Sequence, residues 1–369
     1  MNILFINTVD LGTNGISTFI INNAKYLAIK NNVAIAYSNV ISQKLKHELQ
    51  SAGITLIKLP PRRRKMVSYY KKLVCMIKKY NFDLVHVNGN STTMFLELMA
   101  AKHAGCKIRI GHAHNTKTDH PILNTLLYPA FNHYITQRFA CSQEAGEWLF
   151  KNKKFRVIEN GIKLNDYFPN LKSRTLIRKE LNVGSKDVLL VNVGRFNSQK
   201  NQEFLIDMIG LMPARFKLLL IGDGGFYKQR REEVLQKGLE KRVFFTGSVE
   251  NVSDYLSASD IFVMPSKFEG FPYALIEAQA SGLLCLAADN ITRKTNLTGN
   301  VKFLSIEDTT VWIDKILSTD YISFNERIEN FATTKSKIAS KGFSVDENVQ
   351  KLSSIYSKEV NDNNEKGRL

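Results

Sequence analysis

Short, continuous runs of apolar residues recur along the chain, separated by helix-length segments of mixed polarity. Strands of this kind, apolar throughout and not alternating, are typical of sheets buried on both faces. Their alternation with helices indicates right-handed crossovers in parallel sheets, so the pattern predicts the α/β class. The predicted strands cover residues 2–8, 33–38, 54–59, 83–88, 107–112, 187–193, 216–221, 243–246, 261–265 and 283–287, with a last candidate at 301–304.

The strand series is interrupted once, at residues 160–174, where glycine, asparagine, aspartate and proline break any period. We place an interdomain linker in this segment, and a chain of 369 residues favours two domains. Both halves have the same rhythm of strands and helices. This rhythm fits two Rossmann-like domains that face a central cleft.

The positive charge of the chain is concentrated in its first part. The formal net charge is +17, and residues 1–168 hold 23 Lys and Arg against 9 Asp and Glu. Such asymmetry indicates an anionic partner, either nucleic acid or a membrane surface. With neither a signal peptide nor an apolar run of about 18 residues, and with four scattered cysteines, the sequence predicts a cytoplasmic protein.

The segment 261–282, IFVMPSKFEGFPYALIEAQASG, predicts a strand, a loop and a helix. Gly270 would let the backbone approach a ligand, and Pro272 is expected at the first helical position. The free N–H groups of the helix start favour an anion, while Glu269 and Glu277 could accept hydrogen bonds from sugar or ribose hydroxyls. The alternative is a pair of solvated carboxylates near a helix end.

A second strand end, in residues 187–207, leads through Gly194 to Arg195 and Lys200. Ligands of open α/β sheets bind beyond the carboxyl ends of the strands, so these cations could clamp a diphosphate. Two surface cations on a loop are the alternative. The Gly-Asp-Gly-Gly sequence that ends the strand at 216–221 reads as a simple turn.

Two histidines, His112 and His114, lie where a predicted strand meets its loop. Separated by one residue on an extended segment, they are expected to point to opposite faces, so that only one faces the predicted cleft. A satisfied pair of polar residues is the alternative, and His86 is a weaker, structural candidate. A metal site formed with Asp119 and His120 is conceivable, although the chain has no D-x-D triplet.

Six ordered blocks together resemble glycosyltransferase family 4, the retaining enzymes of GT-B fold, and in particular its bacterial capsular and exopolysaccharide branch. The resemblance runs through most of the chain. The blocks are RIGHAHNT at 109–116, FACSQEAGEWLF at 139–150, VIENGI at 157–162, VGRFNSQKN at 193–201, LLLIGDG at 218–224 and PSKFEGFPYALIEAQASG at 265–282.

The resemblance implies roles for the residues of the second half. Arg195 and Lys200 correspond to the donor-diphosphate ligands, and Glu277 to the residue that binds the ribose. Glu269 and the amides of Gly270 and Phe271 correspond to the contacts with the transferred sugar. We count Gly194 and Pro272 with this donor-binding set, and we expect Arg195, Lys200 and Glu269 to act in catalysis. The family works without a metal, and no cofactor is expected.

The resemblance also implies a division of labour between the domains. Residues 1–165 would form the acceptor-side domain, with a C-terminal helix at about 344–360 packed back on it, and residues 166–343 would bind the donor. Family members commonly place a histidine at this strand end beside the transferred sugar, so His112 and His114 are both candidate catalytic residues. At the N-terminal glycine loop, the amide of Gly15 could contact the donor phosphate or simply turn the chain, and Asn14 stands where relatives often have another glycine.

The implied activity is a retaining, metal-independent hexosyl transfer from a nucleotide-sugar donor, with a UDP-sugar as the family default, to a lipid-linked or saccharide acceptor for cell-surface polysaccharide. Two alternatives stay open. One is another GT-B enzyme of nucleotide sugars, such as an epimerase. The other is a nucleic-acid-binding protein that uses the basic first domain, although no recognised binding module is present.

Residues 62–80 hold eight Lys and Arg and no acid, which predicts a basic amphipathic helix. It could be a domain helix whose stripe meets the sheet. Its charge also suits an anionic inner leaflet, and we expect peripheral association with the membrane near a lipid-linked acceptor. The predicted apolar stripe consists of Met66, Tyr70, Leu73, Ile77 and Tyr80.

Overall fold

The structure, a computed structural model, describes residues 1–12, 14–116, 118, 121–269 and 272–366. The chain forms two compact units. The first unit contains Met1–Gly161 together with the residues from Gly342 onward, and the second unit contains Ile162–Lys341. Within the segment predicted as a linker, Leu164–Tyr167 form a 3-10 helix and the next α-helix begins at Leu171.

The first unit is built on a seven-stranded sheet whose strands all pair in parallel. The strand order is β3-β2-β1-β4-β5-β6-β7, so the direction of winding reverses between β1 and β4. The strands are β1 (Asn2–Asn7), β2 (Asn32–Tyr37), β3 (Thr55–Lys58), β4 (Leu84–Gly89), β5 (Ile108–Ala113), β6 (Gln137–Ala140) and β7 (Arg156–Val157).

The second unit is built on a six-stranded parallel sheet of order β10-β9-β8-β11-β12-β13. Winding reverses here between β8 and β11, which makes their carboxyl ends the topological switch point of this sheet. The strands are β8 (Val188–Val193), β9 (Phe216–Ile221), β10 (Val243–Gly247), β11 (Ile261–Met264), β12 (Leu284–Ala288) and β13 (Val301–Leu304).

Helices provide the crossovers between the parallel strands and cover the sheets. They are α1 (Gly15–Leu27), α2 (Gln43–Ser51), α3 (Met66–Tyr80), α4 (Phe95–His103), α5 (Pro121–Leu126), α6 (Tyr128–Tyr134), α7 (Gln143–Phe150), α8 (Leu171–Glu180), α9 (Gln202–Leu211), α10 (Tyr227–Gln236), α11 (Val252–Ala258), α12 (Tyr273–Ala280), α13 (Thr309–Leu317), α14 (Phe324–Glu329), α15 (Phe331–Ala339) and α16 (Val345–Lys366).

Each sheet has an apolar core on both faces. In β1, Ile3 and Phe5 belong to one core cluster, whereas Leu4 and Ile6 belong to another. Successive residues of β8 divide between two clusters in the same way. Because successive side chains of a strand point to opposite faces, a strand covered on both sides must be apolar throughout. The prediction of the α/β class with parallel sheets is therefore confirmed.

Strands β6 and β7 are missing from the predicted set. They are four and two residues long, and Gln137, Arg138 and Arg156 give them a polar character. These strands lie at one edge of the first sheet, where less of each strand is enclosed than at the centre. A search for continuous apolar runs does not detect strands of this kind.

The basic helix differs from its prediction. Helix α3 begins only at Met66, and the residues buried on it are Tyr69, Leu73 and Ile77. Met66 and Tyr80, predicted in the apolar stripe, are exposed at the two ends of the helix. The stripe is therefore rotated and shorter than predicted, because the neighbouring elements cover only the middle of the helix.

Candidate active site

The strongest candidate site of the second unit lies at the switch point of its sheet. Strand β8 leads into the loop that carries Gly194, Arg195 and Lys200, and the neighbouring β11 leads into the loop that carries Glu269. Two loops that leave adjacent strands on either side of a winding reversal enclose a crevice where ligands of α/β sheets bind. Gly194, Arg195, Lys200 and Glu269 are thus brought to one sheet edge.

Backbone and side-chain hydrogen bonds join these two loops. The amide of Lys267 donates to the carbonyl of Gln199 at 2.8 Å, and Gln199 Nε2 donates to the carbonyl of Phe268 at 2.8 Å. Asn201 Nδ2 also donates to the carbonyl of Pro265 at 3.2 Å. The two loops therefore hold each other in place before any ligand binds.

Lys200 and Glu269 form an ion pair across the two loops. The distance from Lys200 Nζ to Glu269 Oε1 is 2.6 Å, and their side chains are 17% and 7% exposed. The sequence assigns these residues to different parts of the donor and does not predict the pair. An ammonium has three donors, and Glu269 is the one partner of Lys200 Nζ that the described residues supply, so two donors remain for an anion.

Gly194 makes room for the side chain of Lys200. A Cβ atom at Gly194 would lie 3.2 Å from both Cδ and Cε of Lys200, which is tighter than ordinary contact. The aliphatic part of the lysine therefore runs directly over this glycine. The structure gives Gly194 a role in placing Lys200, in addition to the predicted place beside the donor.

The turn that carries Arg195 rests on the end of β9. Gly194 N donates to the carbonyl of Ile221 at 2.9 Å. A Cβ atom at Gly222, whose φ is +135°, would lie 2.1 Å from the carbonyl oxygen of Gly194. Gly222 is thus needed for close backbone approach, a role that the sequence left as a simple turn. Arg195 itself is exposed at this edge.

Glu277 lies on α12 and contacts Tyr167, which no sequence motif singles out. The Tyr167 hydroxyl donates a hydrogen bond to the Glu277 carboxylate. Burial raises the pKa of Glu277, and the Tyr167 hydrogen bond partly opposes that rise. Burial, followed by the nearby Glu277, also raises the pKa of Tyr167. Tyr167 is therefore the side chain that holds the Glu277 carboxylate in place.

The start of α12 differs by one residue from its prediction. The helix begins at Tyr273, and Pro272 precedes it with φ −84° and ψ 85°, which is not helical geometry. The positive end of the α12 dipole therefore lies at this edge of the sheet, where it favours an anion. Gly270 and Phe271, predicted to contact the sugar, lie outside the described residues.

Gly15 occupies the first position of α1 in the first unit and is exposed. The Asn14 side chain caps this helix by accepting a hydrogen bond from Ser17 N at 2.9 Å. Ser17 Oγ in turn accepts from Gly12 N at 3.0 Å and from Asn7 Nδ2 at 3.2 Å. The asparagine that departs from the family pattern is therefore the N-cap of the helix.

The prediction that His112 and His114 point to opposite faces is wrong. Their rings are stacked, with centroids 4.1 Å apart. Residues i and i+2 of a strand share a face because the side-chain period is two, and it is the residue between them that points away. His112 is fully buried, whereas His114 is partly exposed.

The stacked pair belongs to a longer chain of polar groups across the sheet. His86 Nε2 lies 3.0 Å from His112 Nδ1, and the Tyr356 hydroxyl of α16 hydrogen-bonds His86 Nδ1. His114 Nε2 lies 2.9 Å from Asn88 Oδ1, which can only accept, so Nε2 carries the proton of the neutral ring. His114 Nδ1 is then an acceptor, and it has no hydrogen-bond partner among the described residues.

Burial keeps these histidines neutral. It lowers the pKa of His86 and of His112 well below the ordinary value, and neighbouring histidines lower both further. Burial also lowers the pKa of His114 to about 3. Neutral imidazoles can exchange hydrogen bonds with hydroxyl groups but carry no charge for a phosphate.

Two further features concern metals and membranes. Within residues 1–12, 14–116, 118, 121–269 and 272–366, no group of three His, Cys, Asp or Glu is arranged to hold a metal ion. Asp119 and His120, considered as ligands with His112 and His114, lie outside the described residues. No helix of the described part is long and apolar enough to cross a membrane.

Comparison with known families gives two matches that together span most of the chain. The model described as Glycosyltransferase Family 4 matches residues 13–166, and the model described as Glycosyl transferases group 1 matches residues 173–304. The second match includes Arg195, Lys200, Glu269 and Glu277. The loops after β8 and β11 therefore lie inside the region that this glycosyltransferase model matches.

Three relatives match over most of their own lengths. EpsF of Bacillus subtilis (strain 168), provisionally named a glycosyltransferase, is 32% identical over 291 residues, which is 74% of each chain. The capsular polysaccharide biosynthesis glycosyltransferase CapH of Staphylococcus aureus is 27% identical over 337 residues, 85% of this chain and 86% of CapH. The UDP-Gal:alpha-D-GlcNAc-diphosphoundecaprenol alpha-1,3-galactosyltransferase of Escherichia coli is 28% identical over 316 residues, 79% of each chain.

Among solved structures, that of Anabaena HepE in complex with UDP is similar to this chain with a TM-score of 0.78. The match covers 97% of this chain and all of HepE at 20% sequence identity. At that identity the likeness shows the fold alone, which is GT-B.

Proposed function

This chain is a member of glycosyltransferase family 4, and from that premise we propose that it is a retaining hexosyltransferase that uses a UDP-sugar. The acceptor in this proposal is lipid-linked or a saccharide, and the product is a precursor of cell-surface polysaccharide. Two relatives support it. CapH is named for capsular polysaccharide biosynthesis, and the E. coli relative is named for a UDP-Gal donor and a diphosphoundecaprenol-linked acceptor.

The proposed donor site is the switch point of the second unit. Lys200 and Arg195 bind the diphosphate, and the positive end of the α12 dipole favours its charge. The Glu277 carboxylate accepts hydrogen bonds from the ribose hydroxyls. Glu269, with Gly270 and Phe271 after it, binds the transferred sugar. The single observation that carries this assignment is the ion pair of Lys200 and Glu269, which joins the two loops at the switch point.

In the proposed reaction, the bond between the sugar C1 and the β-phosphate oxygen breaks as the acceptor oxygen bonds to C1 on the same face. The acceptor's proton passes to the departing phosphate. Negative charge develops on the nucleoside diphosphate as it leaves, and Arg195 and Lys200 stabilise it. Family 4 works without a metal, so in this proposal the protein's own cations and the dipole of α12 neutralise that charge.

Of the two histidines, we assign contact with substrate to His114 and give His112 a supporting role. His114 is partly exposed, whereas His112 is fully buried beneath it. The Asn88 hydrogen bond fixes the His114 tautomer, which leaves Nδ1 as a buried acceptor without a partner among the described residues, and in this proposal it accepts from a sugar hydroxyl. Stacking on His112 holds the ring in position.

The proposed location is the cytoplasmic face of the membrane, with residues 62–80 as the electrostatic contact. Exposed cations support this: Arg63, Arg64 and Lys65 precede α3, and its lysines also face solvent. Each such residue near an anionic leaflet contributes roughly 1 kcal/mol of attraction. A lipid-linked acceptor would be presented at the same surface.

A donor and acceptor screen tests this function. The purified protein is incubated with UDP-glucose, UDP-galactose and UDP-N-acetylhexosamines, with and without undecaprenyl-diphosphate-linked sugars, and UDP release is measured. We expect acceptor-dependent UDP release from one donor and a product that keeps the donor's anomeric configuration by NMR. Donor conversion without any acceptor would support the epimerase-like alternative, and an inverted product would refute the retaining mechanism.

A further inference from the structure

Helix α5 of the first unit presents its apolar residues to solvent. None of its six residues is buried. Ile122, Leu123 and Leu126 are 77%, 43% and 70% exposed. A surface helix of a globular protein normally turns its apolar stripe toward the core. The orientation of α5 is the reverse of that.

A polar anchor fixes this inverted orientation. Asn124 lies on the inward side of α5, where its Oδ1 accepts from Thr92 N at 2.8 Å. The Asn124 carbonyl accepts from Thr92 Oγ1 at 2.7 Å, and Thr92 is fully buried. The helix is thus attached to the unit by hydrogen bonds through its asparagine. Its aliphatic side chains remain free for another apolar environment.

The helix lies in an uncharged stretch between two basic segments. Residues 121–132 contain no Asp, Glu, Lys or Arg. On one side, Arg62 Nη2 donates to the carbonyl of Thr93, next to the Thr92 anchor, and the exposed cations 63–65 follow Arg62. On the other side, Lys151 Nζ lies 4.3 Å from the ring centroid of Tyr128, the second residue after α5.

We name the segment 151–154, KNKK, the second basic segment, and 62–65, RRRK, the first. Lys151, Lys153 and Lys154 are all exposed. The surface therefore combines an exposed apolar helix with two nearby basic segments. A protein partner that covered only the aliphatic residues would leave these cations without anions.

We propose that α5 is an apolar anchor that inserts into an anionic lipid membrane, while the two basic segments bind the lipid headgroups. Apolar side chains flanked by Lys and Arg match the boundary between acyl chains and anionic headgroups. A second copy of this chain fits the surface less well, because the cations of two copies would repel each other. The inference rests on the proposed function and deepens it. The membrane would bring the lipid-linked acceptor to α5, which begins seven residues after His114 in the chain.

Vesicle flotation tests this anchor directly. The full chain is mixed with phosphatidylcholine vesicles that contain or lack phosphatidylglycerol, and the floated fraction is measured at low and high salt. The variant Ile122→Ser with Leu126→Ser should lower the affinity for anionic vesicles by about tenfold or more. Leu211→Ser, at a similarly exposed leucine of the second unit, should leave the affinity unchanged.

The charge contribution is tested separately. Lys153→Glu with Lys154→Glu should weaken binding at low salt and change little at high salt, because salt screens exposed charges. Unchanged flotation of the Ile122→Ser, Leu126→Ser variant would overturn the proposal. So would lipid-free dimers in sedimentation that this variant abolishes, because α5 would then be a protein interface.

Failure of the anchor can be told apart from failure of the proposed function. The serine variant should retain wild-type UDP affinity and transfer to a water-soluble saccharide acceptor. Only its transfer to acceptor embedded in anionic vesicles should fall. Thermal unfolding at the wild-type temperature would show that the two serines leave the fold intact, as expected for exposed side chains.

Discussion

Substitution of Lys200 by alanine should affect both the stability of the second unit and its affinity for UDP. The Lys200 ammonium lies 2.6 Å from the Glu269 carboxylate, whose side chain is only 7% exposed. Without the lysine, that carboxylate keeps a bond of 3.5 Å from Gln199 Nε2, which is at the limit of hydrogen bonding. A largely buried negative charge would then lack its main partner.

The size of the effect follows from hydrogen bonds to charged groups. Such a bond contributes about 1.5–3 kcal/mol, and a unit of this size loses about 2–4 °C in Tm for each kcal/mol. Lys200→Ala should therefore lower the Tm of the second unit by roughly 3–12 °C. The variant also loses the hydrogen bond between Lys200 and the diphosphate. A bond of about 1.5–3 kcal/mol corresponds to UDP binding that is weaker by about tenfold or more.

Calorimetry measures both quantities, by scanning for Tm and by titration for UDP affinity. The matched control is Lys217→Ala, because Lys217 forms a similar ion pair with Asp187 at 2.8 Å near the amino end of β9. It should lower Tm but leave the UDP affinity unchanged. Adding Glu269→Gln to Lys200→Ala should recover part of the Tm by removing the unpaired charge. Wild-type UDP affinity in Lys200→Ala would refute the assigned role, and equal loss in both lysine variants would reduce it to a general stability effect.

Three other predictions follow from the two units. Tyr167→Phe should move the acidic limb of the kcat/KM profile to higher pH, because the Tyr167 hydrogen bond lowers the pKa of Glu277 and ribose binding needs the ionised carboxylate. An acidic limb at the wild-type pH would contradict this. Gly222→Ala should lower Tm and weaken UDP binding, because its Cβ would lie 2.1 Å from the Gly194 carbonyl oxygen; a neutral effect on both would show that the turn is not coupled to the site. Burial lowers the pKa of His114 to about 3, so below about pH 6.5 the unfolded chain binds a proton that the folded first unit does not. The stability of the first unit should therefore fall as the pH falls from about 6.5. His114→Asn should make that fall shallower in thermal melts, and an identical pH dependence would contradict the assignment.

The sequence predicts the fold class well because the physics that specifies it is local. A strand covered by helices on both faces must be apolar throughout, and β1, β8 and their neighbours meet that requirement. Strands β6 and β7 do not meet it, and the pairing that defines them comes from contacts with β5, distant in sequence.

The candidate site is predicted residue by residue but not as an arrangement. Motifs place Lys200 and Glu269 at two strand ends, yet the 2.6 Å contact between them depends on β8 and β11 being neighbours. Tyr167 lies in a segment that reads as a linker, and a lone tyrosine carries no motif that would single it out. Its contact with Glu277 emerges only when the 3-10 helix Leu164–Tyr167 packs near α12.

The orientation of α5 is likewise invisible to a pattern of apolar residues. Ile122 and Leu126 are four positions apart, a spacing that usually predicts a buried face. The anchoring of Asn124 on Thr92 reverses that expectation. For His112 and His114, in contrast, the strand geometry alone predicts a shared face, because residues two apart on a strand point the same way. The expectation of opposite faces misapplied that rule.

The central claim is that the loops after β8 and β11 form a nucleoside diphosphate site, and a crystal structure of the protein with UDP tests it most directly. We predict the pyrophosphate within hydrogen-bonding distance of Arg195 and Lys200, and the ribose hydroxyls on Glu277. UDP bound elsewhere, or bound at this edge with Arg195, Lys200 and Glu277 turned away from it, would contradict the account.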